Sequence, residues 1–327
     1  PENKEFTFKG FRKAKSGEEK TEWQYITDAH KKPEDLNHYS LYAGTSWFFV
    51  NPQMHQSLDY LFIDEAGQVA LGTTIANATS AKNLVLIGDQ MQLSQPIRAK
   101  HNGYARKSSL DFVLENLDTI PPEKGIFLNT TRRLNKKICS FISNSFYESR
   151  LTSHKEANLR SVKLKLDPIK DEGIFHIPID HNGCSQRSDE EADLIEKTFN
   201  KIIGKEFNVG DKKGKISPKD IMVVAPYNAQ ANNIRERLNK KYQDDVKVGT
   251  IDLFQGQEAK VVLISMTTSD VESLPRHKDF FFSRNRLNVA ISRAQCVAII
   301  IFNEKLLLAS TNSIEEMKLM NNFCKLL

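Results

Sequence analysis

Leu61-Phe62-Ile63-Asp64-Glu65-Ala66-Gly67-Gln68 is an apolar run that stops abruptly at two adjacent carboxylates. In a chain whose strands alternate with helices, such a run is a strand of a parallel sheet. Its acids then stand at the carboxyl end, where α/β folds gather their ligands. One acid in that place can hold a divalent cation against phosphates, and its neighbour can orient or deprotonate a water. Taken alone, the same pair also describes a strand that ends at a surface turn. The rest of the chain decides between the two.

Outward from this stretch the pattern alternates. Leu41 to Val50 reads as a strand, a turn at Gly44 and more apolar chain; Leu58 to Ile63 is the strand feeding the acids, and a helix covers Val69 to Ala78. Leu84-Val85-Leu86-Ile87 is a continuous apolar strand, of the kind buried on both faces, and it ends in Gly88-Asp89-Gln90-Met91-Gln92-Leu93. After a helix from Ser109 to Leu117, Pro121-Pro122-Glu123-Lys124-Gly125 breaks the chain and sets a boundary between two domains, 1–122 and 123–327. Beyond it come a strand at Ile126–Leu128, a helix from Asn135 to Phe146, an irregular stretch over 152–172, a strand at Gly173–Ile179 and an amphipathic helix over Asp189–Ile203. Further strands fall at Ile221–Ala225, Val246–Ile251, Val261–Met266 and Cys296–Phe302, with helices ending near Lys241 and spanning Arg286–Ala294 among them. Ser313 and Glu316 form a capping box for a closing helix that turns Ile314, Met317, Met320 and Phe323 inward. The expected architecture is therefore α/β, two three-layer domains with mainly parallel sheets.

Composition narrows the class. At 327 residues the chain can bury two cores, and its 39% hydrophobic and 27% charged content is that of a globular protein. The net charge of +5 tolerates a polyanionic partner. Cys139, Cys184, Cys296 and Cys324 are far apart without a C-x-x-C pair, which predicts reduced thiols and a cytoplasmic location rather than a disulfide framework. His176, His181 and Cys184 are near one another, but their loose spacing is a weak zinc signal. No apolar run is as long as a membrane span. Lys9, Arg12, Lys13 and Lys15 cluster in a polar arm, which is either a solvated segment or a nucleic-acid patch.

The chemistry-bearing residues stand where strands end: Asp64-Glu65, then Gln92, then Arg132-Arg133 past the boundary, then Arg293 in Asn288-Val289-Ala290-Ile291-Ser292-Arg293-Ala294. Phosphoryl transfer uses such an inventory of acids for Mg²⁺ and water, a polar γ-phosphate sensor, and arginines whose planar forks pair phosphate oxygens.

Over residues 41 to 302, the order and wording of these blocks resemble the core of superfamily 1 helicases, in the branch of the nonsense-mediated-decay helicase. They resemble most closely bacterial proteins that fuse a RecB-like nuclease to such a core, which leaves open a nuclease domain in the full-length chain. The resemblance implies two RecA-like domains, the first one incomplete here, that bind ATP and Mg²⁺ and move 5′ to 3′ along single-stranded DNA or RNA. Asp64-Glu65-Ala66-Gly67-Gln68 is similar to the Walker B motif, implying Asp64 as the Mg²⁺ ligand and Glu65 as the residue acting on the hydrolytic water. Gly88-Asp89-Gln90-Met91-Gln92-Leu93 resembles motif III, making Gln92 the γ-phosphate sensor, while Arg133 falls at the motif IV arginine finger and Arg293 at the motif VI arginine. Gln255-Gly256-Gln257-Glu258 resembles motif V, which places Gly256 and Glu258 with the nucleotide, Glu258 near its ribose. Gly44-Thr45-Ser46-Trp47, Pro226-Tyr227-Asn228-Ala229-Gln230 and Gly249-Thr250-Ile251-Asp252 resemble strand-gripping segments, implying contacts from Thr45, Pro226, Tyr227, Thr250 and Asp252.

Departures from the pattern are specific. Arg132 stands where relatives often have an aromatic residue over the adenine, and Gln295 where many have a further basic residue. No G-x-x-x-x-G-K-[ST] occurs in these residues. The nearest imitation, Gly210-Asp211-Lys212-Lys213-Gly214-Lys215-Ile216-Ser217, has too few residues between its glycines, and Ile216 replaces the Mg²⁺-binding hydroxyl. The expectation is a chain that starts inside the first domain and is inactive as an ATPase by itself. A non-catalytic nucleic-acid-binding or scaffold module derived from a helicase is the alternative.

Overall fold

A computed structural model describes residues 10–13, 24–26, 39–93, 102–115, 117–209, 212–270, 283–309 and 314–324. They divide into two compact units, one formed by 1–89 with 94–115 and the other by 90–93 with 116–327. The basic arm around Lys9 and Lys15, Ser313 of the expected capping box, and Gly210-Asp211 of the loop imitation lie outside the described residues or their side chains.

In the first unit, β1 (Gly10–Lys13) pairs in parallel with β2 (Gln24–Ile26) and with β3 (Leu41–Ala43). A one-turn helix α1 (Ser46–Phe49) follows, then β4 (Leu58–Ile63), α2 (Leu71–Ala78), β5 (Ala81–Leu86) and α3 (Ser109–Leu114). β4 and β5 are parallel, with Leu61 opposite Leu84 and Ile63 opposite Leu86. Leu61 and Ile63 are buried, but Tyr60 and Phe62, which point the other way, are 59% and 61% exposed. The expectation of strands buried on both faces is therefore corrected for this unit: among the described residues β4 and β5 form a two-stranded sheet, and Leu84 is exposed as well.

The second unit is built from β6 (Thr130–Thr131), α4 (Lys136–Phe146), β7 (Thr152–Ser153), β8 (Ser161–Val162), β9 (Gly173–Pro178) and α5 (Asp189–Ile202). β10 (Glu206–Val209), β11 (Lys212–Lys215), β12 (Ile221–Val224), α6 (Asn228–Tyr242), β13 (Lys247–Gly249) and β14 (Ala259–Ser265) come next. α7 (Arg284–Ser292), β15 (Ala294–Phe302) and α8 (Ile314–Cys324) complete it.

Its centre is a five-stranded sheet in the order β13-β12-β14-β15-β9, parallel throughout. Side chains alternate faces along each strand. Ile221, Val223, Val261, Leu263, Val297, Ile299 and Ile301 enter one core with Ala192, Ile195 and Phe199 of α5 and Ile234 and Leu238 of α6. Met222, Val224, Val262, Ile264, Ala298, Ile300 and Phe302 enter the other with Ile138, Ile142 and Phe146 of α4 and Val289 and Ile291 of α7. Three layers result, and the unbroken apolar runs are explained because both faces are covered.

Two local expectations are corrected. Ile126–Leu128 is not a strand; Ile126 and Leu128 are 85% and 78% exposed, while Phe127 packs under the Arg150 guanidinium 4.5 Å from its ring centre. In α8 Met320 and Phe323 are buried, but Ile314 and Met317 face outward. The hairpin of β10 and β11, which holds β8 on its other edge, was not visible as strand because its residues are mostly polar. It settles the identity of Lys212–Lys215, which form a strand antiparallel to Glu206–Val209.

Gly88 shapes the first unit. A Cβ there would lie 2.8 Å from the Ala66 amide nitrogen, 3.1 Å from that of Gly67 and 3.0 Å from Leu110 Cδ1. Two of those neighbours are backbone and cannot swing aside. Gly88→Ala is expected to destabilise the first unit by about 1–3 kcal/mol, the usual range for an overpacked site. The urea midpoint of the chain's first unfolding transition measures it.

Candidate functional site

β4 delivers the acids. The Ile87 amide donates to Ile63 O (2.9 Å) and the Ala66 amide to Ile87 O (2.8 Å), so the ladder with β5 continues past the strand end and ties down the turn between. Glu65 takes the left-handed conformation (φ 52°, ψ 38°), uncommon for a residue with a side chain. Its amide donates to Asp64 Oδ1 (2.9 Å), and its Oε2 accepts from Gln68 Nε2 (3.2 Å). Ala66 and Gly67 are buried beneath, whereas both carboxylates are exposed. The turn thus spends its buried residues on fixing a backbone and presents two acids to solvent. Asp64 is exposed, and Mg²⁺ is ordinarily held by one or two carboxylates with phosphates and waters completing the shell. The donor set fits that ion.

Thr45 is the N-cap residue of α1 and is exposed; beside it Trp47 is 82% exposed, a large aromatic surface that the sequence showed but that was not singled out. Ser46 is held from α2, whose Asn77 Nδ2 donates to Ser46 Oγ (3.1 Å).

In the second unit, Arg293 is only 1% exposed. Its Nε donates to Val289 O (3.2 Å), Nη1 to Gln257 O (3.1 Å) and Nη2 to Gln92 Oε1 (3.4 Å). Two residues assigned to one phosphate are therefore in contact across 201 positions of sequence. The segment carrying Gln92 is held from α7: Asn285 Nδ2 donates to Gln90 O (2.9 Å) and Gln92 O (2.5 Å), and Asn288 Nδ2 to Met91 O (2.8 Å). Neither asparagine was picked out from the sequence. Their spacing puts both on one face of α7, but nothing local marks that face as meeting carbonyls so distant in sequence.

Arg133 follows β6 and pairs through Nε with Glu258 Oε2 at 2.9 Å. Glu258 also accepts from Gln295 Nε2 (2.6 Å), so Gln295, the departure from the family pattern, orients this carboxylate. Both expected partners of the nucleotide are thus engaged with each other in this structure. Arg132 is exposed next to them. Gly256 has φ +74° and open space where a Cβ would stand, so it is required by its backbone rather than by crowding.

The two expected strand-gripping segments of the second unit lie side by side. β12 and β13 are neighbours with Val224 opposite Gly249, and the Ala225 amide donates to Gly249 O (3.0 Å). Pro226-Tyr227 and Thr250-Asp252 therefore leave the sheet side by side. Tyr227 packs against the core, and burial pushes its phenol up to about 12. Asp252 accepts from Arg286 Nη1 (3.2 Å), which makes Arg286, also missed in the sequence, the cationic member of this edge. Among the described residues no helix is long and apolar enough to cross a membrane.

An α/β protein with mainly parallel sheets, acids at a strand end in one unit and arginines gathered with a glutamine in the other, belongs to the nucleotide-handling class. The family model described as AAA domain matches residues 107–305, more than half of the chain. The chain is 27% identical over 270 residues to the DNA polymerase alpha-associated DNA helicase A of Saccharomyces cerevisiae, an alignment covering 77% of this chain and 39% of that protein. With the protein of the same name in Schizosaccharomyces pombe it shares 30% identity over 250 residues, 73% of this chain and 36% of the relative. Among solved structures, the PRRSV helicase aligns with 91% of this chain and 48% of its own at 16% identity and a TM-score of 0.42. The chain belongs to the AAA domain family, and its similarity to helicases makes it a segment of a helicase motor core. It spans under two fifths of the length of these curated relatives.

Arg293→Met should cost about 2–3 kcal/mol, since it removes the buried guanidinium that donates to Gln257 O, Gln92 Oε1 and Val289 O, of which Val289 O keeps Ser292 Oγ. Equilibrium urea unfolding of the chain, followed by the far-ultraviolet signal, gives the number.

Proposed function

We propose that the complete protein is an ATP-dependent helicase or translocase that moves along single-stranded DNA or RNA, and that this chain supplies its water-activating acids and its γ-phosphate-sensing arginines. The contact of the Arg293 guanidinium with Gln92 carries the reading, because it joins two blocks to which the family resemblance gives the same phosphate. In the first unit, Asp64 would hold Mg²⁺, which when bound neutralises developing charge on the phosphate oxygens. Glu65, exposed and oriented by Gln68, takes the proton of the attacking water. In the second unit, Arg133, Arg293 and Gln92 respond to the γ-phosphate, and Gly256, Glu258 and Arg132 attend the ribose and base. For Arg133 this means exchanging its ion pair with Glu258 for phosphate oxygens, a trade that a planar fork makes without losing charge.

Along the strand, Thr45 and its neighbour Trp47 offer a polar contact and a stacking face, while Pro226, Tyr227, Thr250 and the Asp252–Arg286 pair offer backbone contacts. Such binding is salt-dependent and indifferent to base sequence. A cytoplasmic location, 5′-to-3′ movement and a nuclease domain elsewhere in the full-length chain complete the proposal.

The full-length protein carrying Glu65→Gln should bind ATP as before while single-strand-stimulated hydrolysis falls by roughly 10²–10³, the range for loss of a general base. An unchanged turnover would remove Glu65 from the reaction. Residues 1–327 alone contain no phosphate-loop motif. They should show no strand-stimulated release of phosphate, and measurable turnover would show that the cradle is built from other residues.

A further inference from the structure

We propose that His181, Cys184 and Glu190 form a binding site for a zinc-class divalent metal ion. The site lies in the connection between β9 and α5 and in the first turn of α5, and none of its residues takes part in the chemistry assigned above.

The imidazole of His181 is completely buried, and its Nε2 stands 3.2 Å from Glu191 Oε1. Glu191 is itself fully buried, and its other oxygen accepts from Ser265 Oγ (2.5 Å) and the Thr267 amide (2.8 Å). A carboxylate so placed fixes the ring proton on Nε2, which leaves the lone pair on Nδ1. That nitrogen is buried and has no hydrogen-bond partner among the described residues. An orphaned buried acceptor is costly and uncommon. A carboxylate on one ring nitrogen with a metal on the other is how histidine ligands are ordinarily oriented.

The ligand atoms of His181, Cys184 and Glu190 all lie within 4.8 Å of one another, with Cys184 Sγ 3.9 Å from Glu190 Oε2. Around a tetrahedral zinc with bonds of about 2.0–2.3 Å, ligand atoms stand roughly 3.5 Å apart. Small side-chain movements close the gap. The thiol now donates toward Glu190, and the ion would take the place of that proton, which is released to solvent. Imidazole, thiolate and carboxylate together select zinc over magnesium or calcium. Glu190 is exposed and Cys184 half-buried, so the fourth position opens to water.

The loop that presents them is built rather than loose. Asn303 Nδ2 donates to His181 O (2.8 Å), the Cys184 amide to Ser269 Oγ (3.2 Å), and Cys184 O accepts from the Ser269 and Asp270 amides (2.9 and 3.1 Å) and from Thr268 Oγ1 (2.9 Å). Ser188 Oγ steadies Glu190 (3.0 Å). His176, whose position in sequence suggested it as a ligand, is exposed, its ring set edge-on to Phe302 with centroids 6.2 Å apart; Glu190 takes its place.

The test is zinc titration of the metal-stripped 327-residue chain against a chromophoric chelator, with cobalt(II) as the spectroscopic probe. One zinc per chain is expected, with a cobalt–thiolate charge-transfer band and a higher melting temperature on zinc addition. Cys184→Ser and Glu190→Gln, both on the solvent side and compatible with folding, should each weaken binding at least tenfold, and Cys184→Ser should abolish the band. Cys324→Ser and His176→Gln should change neither. Absence of zinc beyond trace, or a cobalt spectrum that Cys184→Ser leaves intact, overturns the site.

Discussion

A buried guanidinium is the constraint on which the second unit turns. Arg293 cannot shed its charge, so its place at 1% exposure requires acceptors fixed in advance. It finds them at Val289 in the helix that precedes it, at Gln257 on the approach to β14, and at Gln92. The first two are backbone carbonyls left over at element ends, where the chain has oxygen to spare. The third must be brought in. Asn285 and Asn288 do so by holding the Gln90–Gln92 carbonyls, and Met91 and Leu93 then settle into the core beside Leu134 and Leu287. α7 therefore could not be a simple amphipathic helix. One face packs on the sheet through Val289 and Ile291, and another carries carboxamides whose partners are backbone.

This also shows how far the sequence could be read. The five-stranded sheet was legible because Ile221–Val224 and the runs 261–264 and 296–302 are apolar at every position, which only a strand covered on both faces tolerates. The same inference failed for Tyr60, Phe62 and Leu84, since hydrophobicity states what a side chain prefers and not whether a covering element is present. Ile126 and Leu128 failed for a related reason: in Ile126-Phe127-Leu128 the single residue Phe127 satisfies the core, and three apolar residues do not make a strand without a partner. The catalytic candidates were found as blocks at strand ends. Their partners were not, because Asn285, Asn288 and Arg286 act through residues distant in sequence, and nothing local marks a carboxamide that will meet a carbonyl nearly two hundred positions away.

A second buried polar centre follows the same logic with opposite sign. Glu191 is a fully buried carboxylate in the first turn of α5, and it collects donors as Arg293 collects acceptors. One donor is the amide of Thr267, a β-branched residue at φ 66°, a conformation that persists only where its surroundings hold it. Another is Ser265, which Gln230 also engages, and Gln230 in turn binds both the amide and the carbonyl of Ser188. The end of β14, the start of α5 and the first turns of α6 are thereby locked through polar side chains as well as through the apolar layers.

The two centres divide the work of the strand ends. Arg293 donates to three neutral oxygens, which hold a full positive charge less strongly than an anion would. Glu191 gathers groups with nothing left to offer a ligand, except through His181, whose second nitrogen it leaves bare. Gln295 belongs to the first kind of economy. It donates a neutral hydrogen bond to Glu258, so the pair of Glu258 with Arg133 is the one ionic contact at that carboxylate among the described residues. A carboxamide brings no charge to that carboxylate, so the ionic part of its binding rests on the Arg133 guanidinium.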